Sequence, residues 1–168
     1  MRQAHFAVFA DYNAWANARL YAAAAALPAA AQDRPQPAAF FGSLLGTLSH
    51  ILVADRMWMS RFLGEPSPYS RLDERPCADL AALAAERQAE DRRILDYVGG
   101  LDDATLAGEL VYRTVAGQSQ RNPLWHSLAH FFNHQTHHRG QAHALLSAAG
   151  SEPPPLDLIY CLRERRTA

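Results

Sequence analysis

Five histidines fall within thirteen residues in the run His126-Ser-Leu-Ala-His130-Phe-Phe-Asn-His134-Gln-Thr-His137-His138. The whole chain of 168 residues holds only eight. Four of the five, at 126, 130, 134 and 138, are spaced by four. On an α-helix, residues four apart stand one above the other, with Cβ atoms about 5–6 Å apart, so one helix can offer two imidazoles to one ion. Neutral imidazole is the commonest nitrogen ligand for divalent transition metals. The spacing alone leaves 126/130, 130/134 and 134/138 as competing pairs.

Helical periodicity runs through most of the chain. Residues 3–26 carry Phe6, Phe9, Ala16 and Leu20 at helical intervals, and Pro28, Pro35 and Pro37 end that helix. A second helix is expected over 38–63, with the stripe Phe41, Leu44, Leu45, Leu48, Ile51, Leu52, Trp58, Met59 and Phe62. Asp79 suits the cap of a third, running to Val98 before two glycines. Its Glu86, Arg87, Glu90, Asp91, Arg92 and Arg93 read as a solvated face. Residues 108–121 break the pattern: Glu109 to Val115 is β-rich and precedes Gly117, which reads as a strand or small hairpin with a loop as the rival. Pro123 suits the first turn of a fourth helix reaching Ala149, with Gly150 at its C-terminal cap. Pro153 to Pro155 then stiffen a connector to a short helix over 156–165. Four apolar stripes are most simply buried as an antiparallel four-helix bundle, so the expected class is all-α, one domain over 1–168.

Net charge is −1 with neutral histidines, which supplies no basic footprint for nucleic acid and no polybasic patch for a membrane. No apolar run approaches the ~20 residues that span a bilayer. Asp11, Asn13, Asn17 and Arg19 interrupt the only stretch resembling a signal peptide. Cys77 and Cys161 form no motif. A cytoplasmic, reduced protein is the expectation.

A site that keeps a position open for water or substrate uses about three protein ligands. The fourth helix supplies two, and a facing helix must supply the third. Outside the last third of the chain only His5 and His50 are available. His50 has the small neighbours Ser43, Gly46, Thr47 and Ala54 on its side of the helix, and His5 lies near a fraying terminus. There is no Glu-x-x-His pair of the di-iron carboxylate kind and no His-Glu-x-x-His.

Four segments together resemble the DinB family, within the DinB/YfiT-like superfamily of metal-binding four-helix proteins. They are Tyr12-Asn-Ala-Trp15-Ala-Asn17; His50-Ile-Leu-Val-Ala-Asp55-Arg-Met-Trp58; His134-Gln-Thr-His137-His138-Arg139-Gly140-Gln141; and Pro153-Pro-Pro-Leu156-Asp157. They cover the chain almost end to end. The resemblance implies His50, His134 and His138 as ligands of a divalent transition metal, zinc, nickel or iron, with His126, His130 and His137 as wall, outer or surface residues. It also implies an up-down-down-up bundle with one long crossover, and a homodimer. The spread of Phe6, Phe9, Tyr12, Trp15 and Tyr21 around the first helix adds to the dimer expectation, since one core cannot take them all. Trp58, Asn133 and Gln141 are expected at the rim of the pocket or behind the ligands.

Characterised relatives in the superfamily use low-molecular-weight thiols in S-transfer or isomerisation, so a metal-dependent thiol transferase, or else a hydrolase, is the leading expectation. A stress-response protein with a structural or sensory ion is the alternative. A non-catalytic helical dimer with an incidental histidine ridge is the third.

Overall fold

The computed structural model describes residues 3–167. In chain order it contains α1 (Gln3–Ala25), α2 (Ala29–Gln32), α3 (Leu44–Leu63), α4 (Leu80–Gly99), α5 (Asp103–Ala107), β1 (Glu109–Arg113), β2 (Ser119–Pro123), α6 (Leu124–Ala148) and α7 (Leu158–Thr167). The long helices α1, α3, α4 and α6 form the bundle, with α1 against α4 and α6, and α3 against α6 and α4. Side-chain contacts set the directions. Gln3 bonds the carbonyl of Val98 at 3.0 Å, so α1 and α4 are antiparallel. His50 meets His134 while Phe62 meets Phe131, so α3 and α6 are antiparallel. Phe6 stacks near Phe132 and Arg139 donates to Asn13, so α1 and α6 run parallel. Asp55 pairs with Arg87 and Glu65 with Arg93, so α3 and α4 run parallel. The order is therefore up-down-down-up rather than simple up-and-down. Short loops would favour the simpler arrangement, but residues 64–79 cross back along the bundle to start α4 parallel to α3.

Capping explains where the helices begin. The second bundle helix starts at Leu44 rather than near residue 38. The Ser43 side chain accepts from the Gly46 amide, and Gly42 ahead of it sits at φ 78°, outside helical space. Phe41 thus belongs to the loop before α3. The Asp79 side chain accepts from the Ala82 amide and opens α4 as expected. Residues 108–123 resolve as a hairpin: β1 and β2 pair antiparallel from Glu109 opposite Pro123 to Arg113 opposite Ser119. Gly150 takes the left-handed conformation (φ 83°) just beyond α6.

The bundle interior has three layers. One apolar layer contains Leu20, Leu48, Leu52, Leu83 and Leu146. The other contains Phe6, Met59, Ile94, Leu128 and Phe131. Between them every bundle helix contributes polar residues: Asn13 and Asn17 from α1, Asp55 from α3, Arg87 and Asp91 from α4, Gln135 and Arg139 from α6, all buried. Arg87 bridges Asp55 at 2.5 Å and Asp91 at 3.0 Å. Asn17 and Asn13 donate to Asp91 at 2.9 and 3.2 Å. Arg139 donates to Asn13 and lies over the Tyr12 ring. Two carboxylates face two guanidinium groups, so the layer is balanced in charge, which is what makes burial of such groups tolerable. The charge run of the third helix is thus solvated only in part: Glu86 and Arg92 are exposed and Arg93 is half-buried. Arg87, Glu90 and Asp91 point inward, because each has a partner of opposite sign on its own or a neighbouring helix.

The aromatic residues of α1 divide between two surfaces. Phe6 enters the core, while Tyr12 and Trp15 meet α7 and the segment before it. Tyr12 donates to the Leu156 carbonyl at 2.7 Å and the Trp15 indole to Glu164 at 2.8 Å. These two aromatics are thus covered from within the chain. Leu44, Leu48, Phe131 and Leu146 are buried, and Trp15, Trp58 and Leu145 are half-buried. Both cysteines are free. No described helix is long and apolar enough to cross a membrane.

Candidate metal centre

The three histidines stand beside the polar layer, on the seam between α3 and α6. The Nε2 atom of His50 is 3.3 Å from Nε2 of His134 and 3.2 Å from Nε2 of His138. Two nitrogens each about 2.0–2.1 Å from a tetrahedral ion would lie roughly 3.3–3.4 Å apart, so these separations match a shared ion. His50 is buried; His134 and His138 are partly exposed. Among the described residues no other histidine, cysteine or carboxylate joins them.

Hydrogen bonds on the far side of the rings decide what the near side offers. The His50 Nδ1 atom lies 2.8 Å from the Leu72 carbonyl. A carbonyl only accepts, so Nδ1 carries the hydrogen and Nε2 of the neutral ring is a bare lone pair. His138 repeats the pattern, its Nδ1 atom 2.8 Å from Oε1 of Gln141. The Gln141 amide in turn faces Nε2 of His137 at 3.1 Å. Two lone pairs therefore converge at 3.2 Å, which is repulsive unless a cation lies between them. A proton fills that role poorly. Burial, aided by the other histidines, holds His134 at a pKa of about 3. Burial holds His50 at about 4 despite its bond to Leu72. His138 is also lowered by burial, Gln141 opposing. A divalent ion suits neutral imidazoles fixed in this tautomer.

Phe41 stacks on His50 with centroids 3.8 Å apart and planes 14° from parallel, and its edge meets His138. Gly46 makes that contact accessible. A Cβ there would lie 2.0 Å from the Phe41 carbonyl oxygen, so the absent side chain admits the loop backbone rather than making room for an imidazole. Of the expected surrounding residues, Gln141 orients His138, Trp58 packs 5.1 Å from the His130 ring, and Asn133 is exposed. His130 lies next to His134, centroids 5.9 Å apart, and is not one of the converging three. His126 and His5 are exposed, and His143 bonds the Pro154 carbonyl at 3.1 Å. Phe41 and the Leu72 carbonyl were missed from sequence. One was placed in a helical stripe, and the other acts through a backbone atom that side-chain identity does not announce.

Gln141→Leu removes the acceptor that fixes His138, so zinc affinity measured by chelator competition should fall about 10–100-fold, the usual effect of losing an outer partner. Proton competition should begin lower than the pH of about 6 that unperturbed imidazole suggests. Zinc content after stepped acidification should hold through roughly pH 6 and fall only toward the His50 value of about 4. The metal-free chain follows the same sign. Unfolded imidazole binds protons near pH 6.5 and folded His50 only near 4. Stability is thus fully present above about 6.5 and is lost as pH falls between those values.

No curated protein matches the chain. A family model described as the DinB family matches residues 1–166. Together with the bundle order and the three convergent histidines, that match over nearly the full length means that the chain belongs to the DinB family.

Proposed function

We propose that this protein is a divalent-metal-dependent enzyme that activates a small thiol, or else water, for attack on an electrophilic substrate. The supporting observation is the convergence of three neutral imidazoles without a fourth protein ligand among the described residues. Structural sites are usually closed by four protein ligands, and catalytic ones keep a position free. When bound, the ion supplies positive charge that lets a thiol or water exist as its conjugate base near neutral pH.

The chain's own residues do the rest. Leu72 and Gln141 hold two rings in the tautomer that presents Nε2. Phe41 covers His50 on one side and excludes water from it. On the other side the partly exposed His134 and His138 leave an approach bordered by His130 and Trp58. Assembly as a homodimer and a cytoplasmic location complete the proposal, both carried over from the sequence reading.

The test is turnover with chloro-dinitrobenzene or an epoxide in the presence of a panel of small thiols. Activity should vanish on chelation and return with zinc, nickel or iron(II). If chelation unfolds the protein and no thiol pair or ester turns over, the ion is structural and this reading fails.

A further inference from the structure

Arg61 is a half-buried cation without an acidic partner among the described residues. Its neighbours are paired: Arg56 with Glu86 and Glu90, Arg93 with Glu65. The Arg61 guanidinium instead lies 4.5 Å from the centroid of Trp58 and 5.1 Å from that of Tyr112. Burial lowers its pKa from the ordinary value, with Tyr112 opposing, yet a guanidinium stays charged in proteins. A desolvated charge left uncompensated is costly, and aromatic faces offset only part of that cost.

Two cavities share Tyr112, one of the two rings under this group. One, of about 250 Å³, is lined by Trp58, Tyr112, Asn122, His126, Ser127 and His130, with no carboxylate. The other, of about 510 Å³, includes Arg61 and Tyr69. Its one carboxylate, Glu65, is engaged by Arg93, and its other cation, Arg113, donates to the Gly117 carbonyl. The smaller cavity ends at His130, whose ring packs on Trp58 and lies 5.9 Å from that of His134. Arg61 follows His50 by eleven residues, about three turns, and so returns near the same face of α3.

We infer that Arg61 is the specificity residue of the histidine site, receiving the carboxylate of an elongated organic acid whose body lies on Trp58 and Tyr112. A single free guanidinium matches the single charge of a carboxylate better than the double charge of a phosphate. The inference rests on the proposed metal chemistry only for where the substrate reacts. The anion contact itself requires no ion.

The matched probes are 4-phenylbutyrate and 4-phenylbutanol, titrated by calorimetry into metal-free and zinc-loaded protein. The wild type should bind the acid about tenfold or more tighter than the alcohol, as a charge-assisted contact would give. Arg61→Gln should equalise the two with zinc content unchanged, and Arg61→Lys should keep part of the preference. A readout that needs no variant is the Arg61 Nε–H resonance, which should move with the acid and not with the alcohol. Equal or undetectable binding of both probes by the wild type, a preference that survives in Arg61→Gln, or an unmoved resonance would overturn the inference. His134→Ala should lose zinc and keep the acid preference. A preference found in protein that takes up no zinc would support Arg61 while sinking the metal reading.

Discussion

Protein carrying His134→Ala should lose zinc affinity by more than about a hundredfold, beyond the 10–100-fold range typical of outer partners. His134 is the member that closes the triangle with His50, at 3.3 Å. The two remaining nitrogens on α3 and α6 then hold an ion by a single pair, which solvent competes for readily. His130→Ala is the control. It has the same spacing from His134 as His138 has, but its ring points toward Trp58 and the cavity beyond. Zinc stoichiometry by elemental analysis should therefore stay near one per chain in His130→Ala and drop to background in His134→Ala. The reverse result would move the site one helical turn. Circular dichroism should show both variants folded, because His134 is partly exposed and lies outside the buried polar layer.

The second large effect concerns that layer. Arg87→Ala should destabilise the protein by about 3–5 kcal/mol, the cost of leaving buried charge without its counterpart. Arg87 is 2% exposed and bonds two carboxylates, so its loss strands both Asp55 and Asp91. In a domain of this size that corresponds to a fall in melting temperature of roughly 2–4 °C per kcal/mol. Asp55→Ala combined with Arg87→Ala removes one charge of each sign and leaves Asp91 near Arg139. The double variant should therefore be less destabilised than the sum of the two single ones, as expected for residues in one network. Additive losses in chemical denaturation would show that the charges are not coupled.

Periodicity and spacing were enough for the four bundle helices, the Asp79 cap and the stop at Gly150, because these depend on residues adjacent in the chain. The i,i+4 interval of His134 and His138 likewise follows from helix geometry alone. Spacing could not choose that pair over 130/134. The resemblance to the DinB family pointed to it, and the structure brings it to His50. The physical reason is that all four ridge histidines are equivalent on an isolated helix, and only the packing of α6 against α3 makes them differ. The same holds for Arg87 and Asp91. Charged residues on a helix read as solvated until the facing helices are known to supply charges of opposite sign. Phe41 and the Leu72 carbonyl reach His50 from loops before and after α3, which no periodicity describes. Sequence thus determined the four long helices and the histidine ridge from which a metal site could be drawn. Tertiary structure decided, beyond what the resemblance implied, which of those side chains meet, since burial and partnership are properties of the faces that pack together.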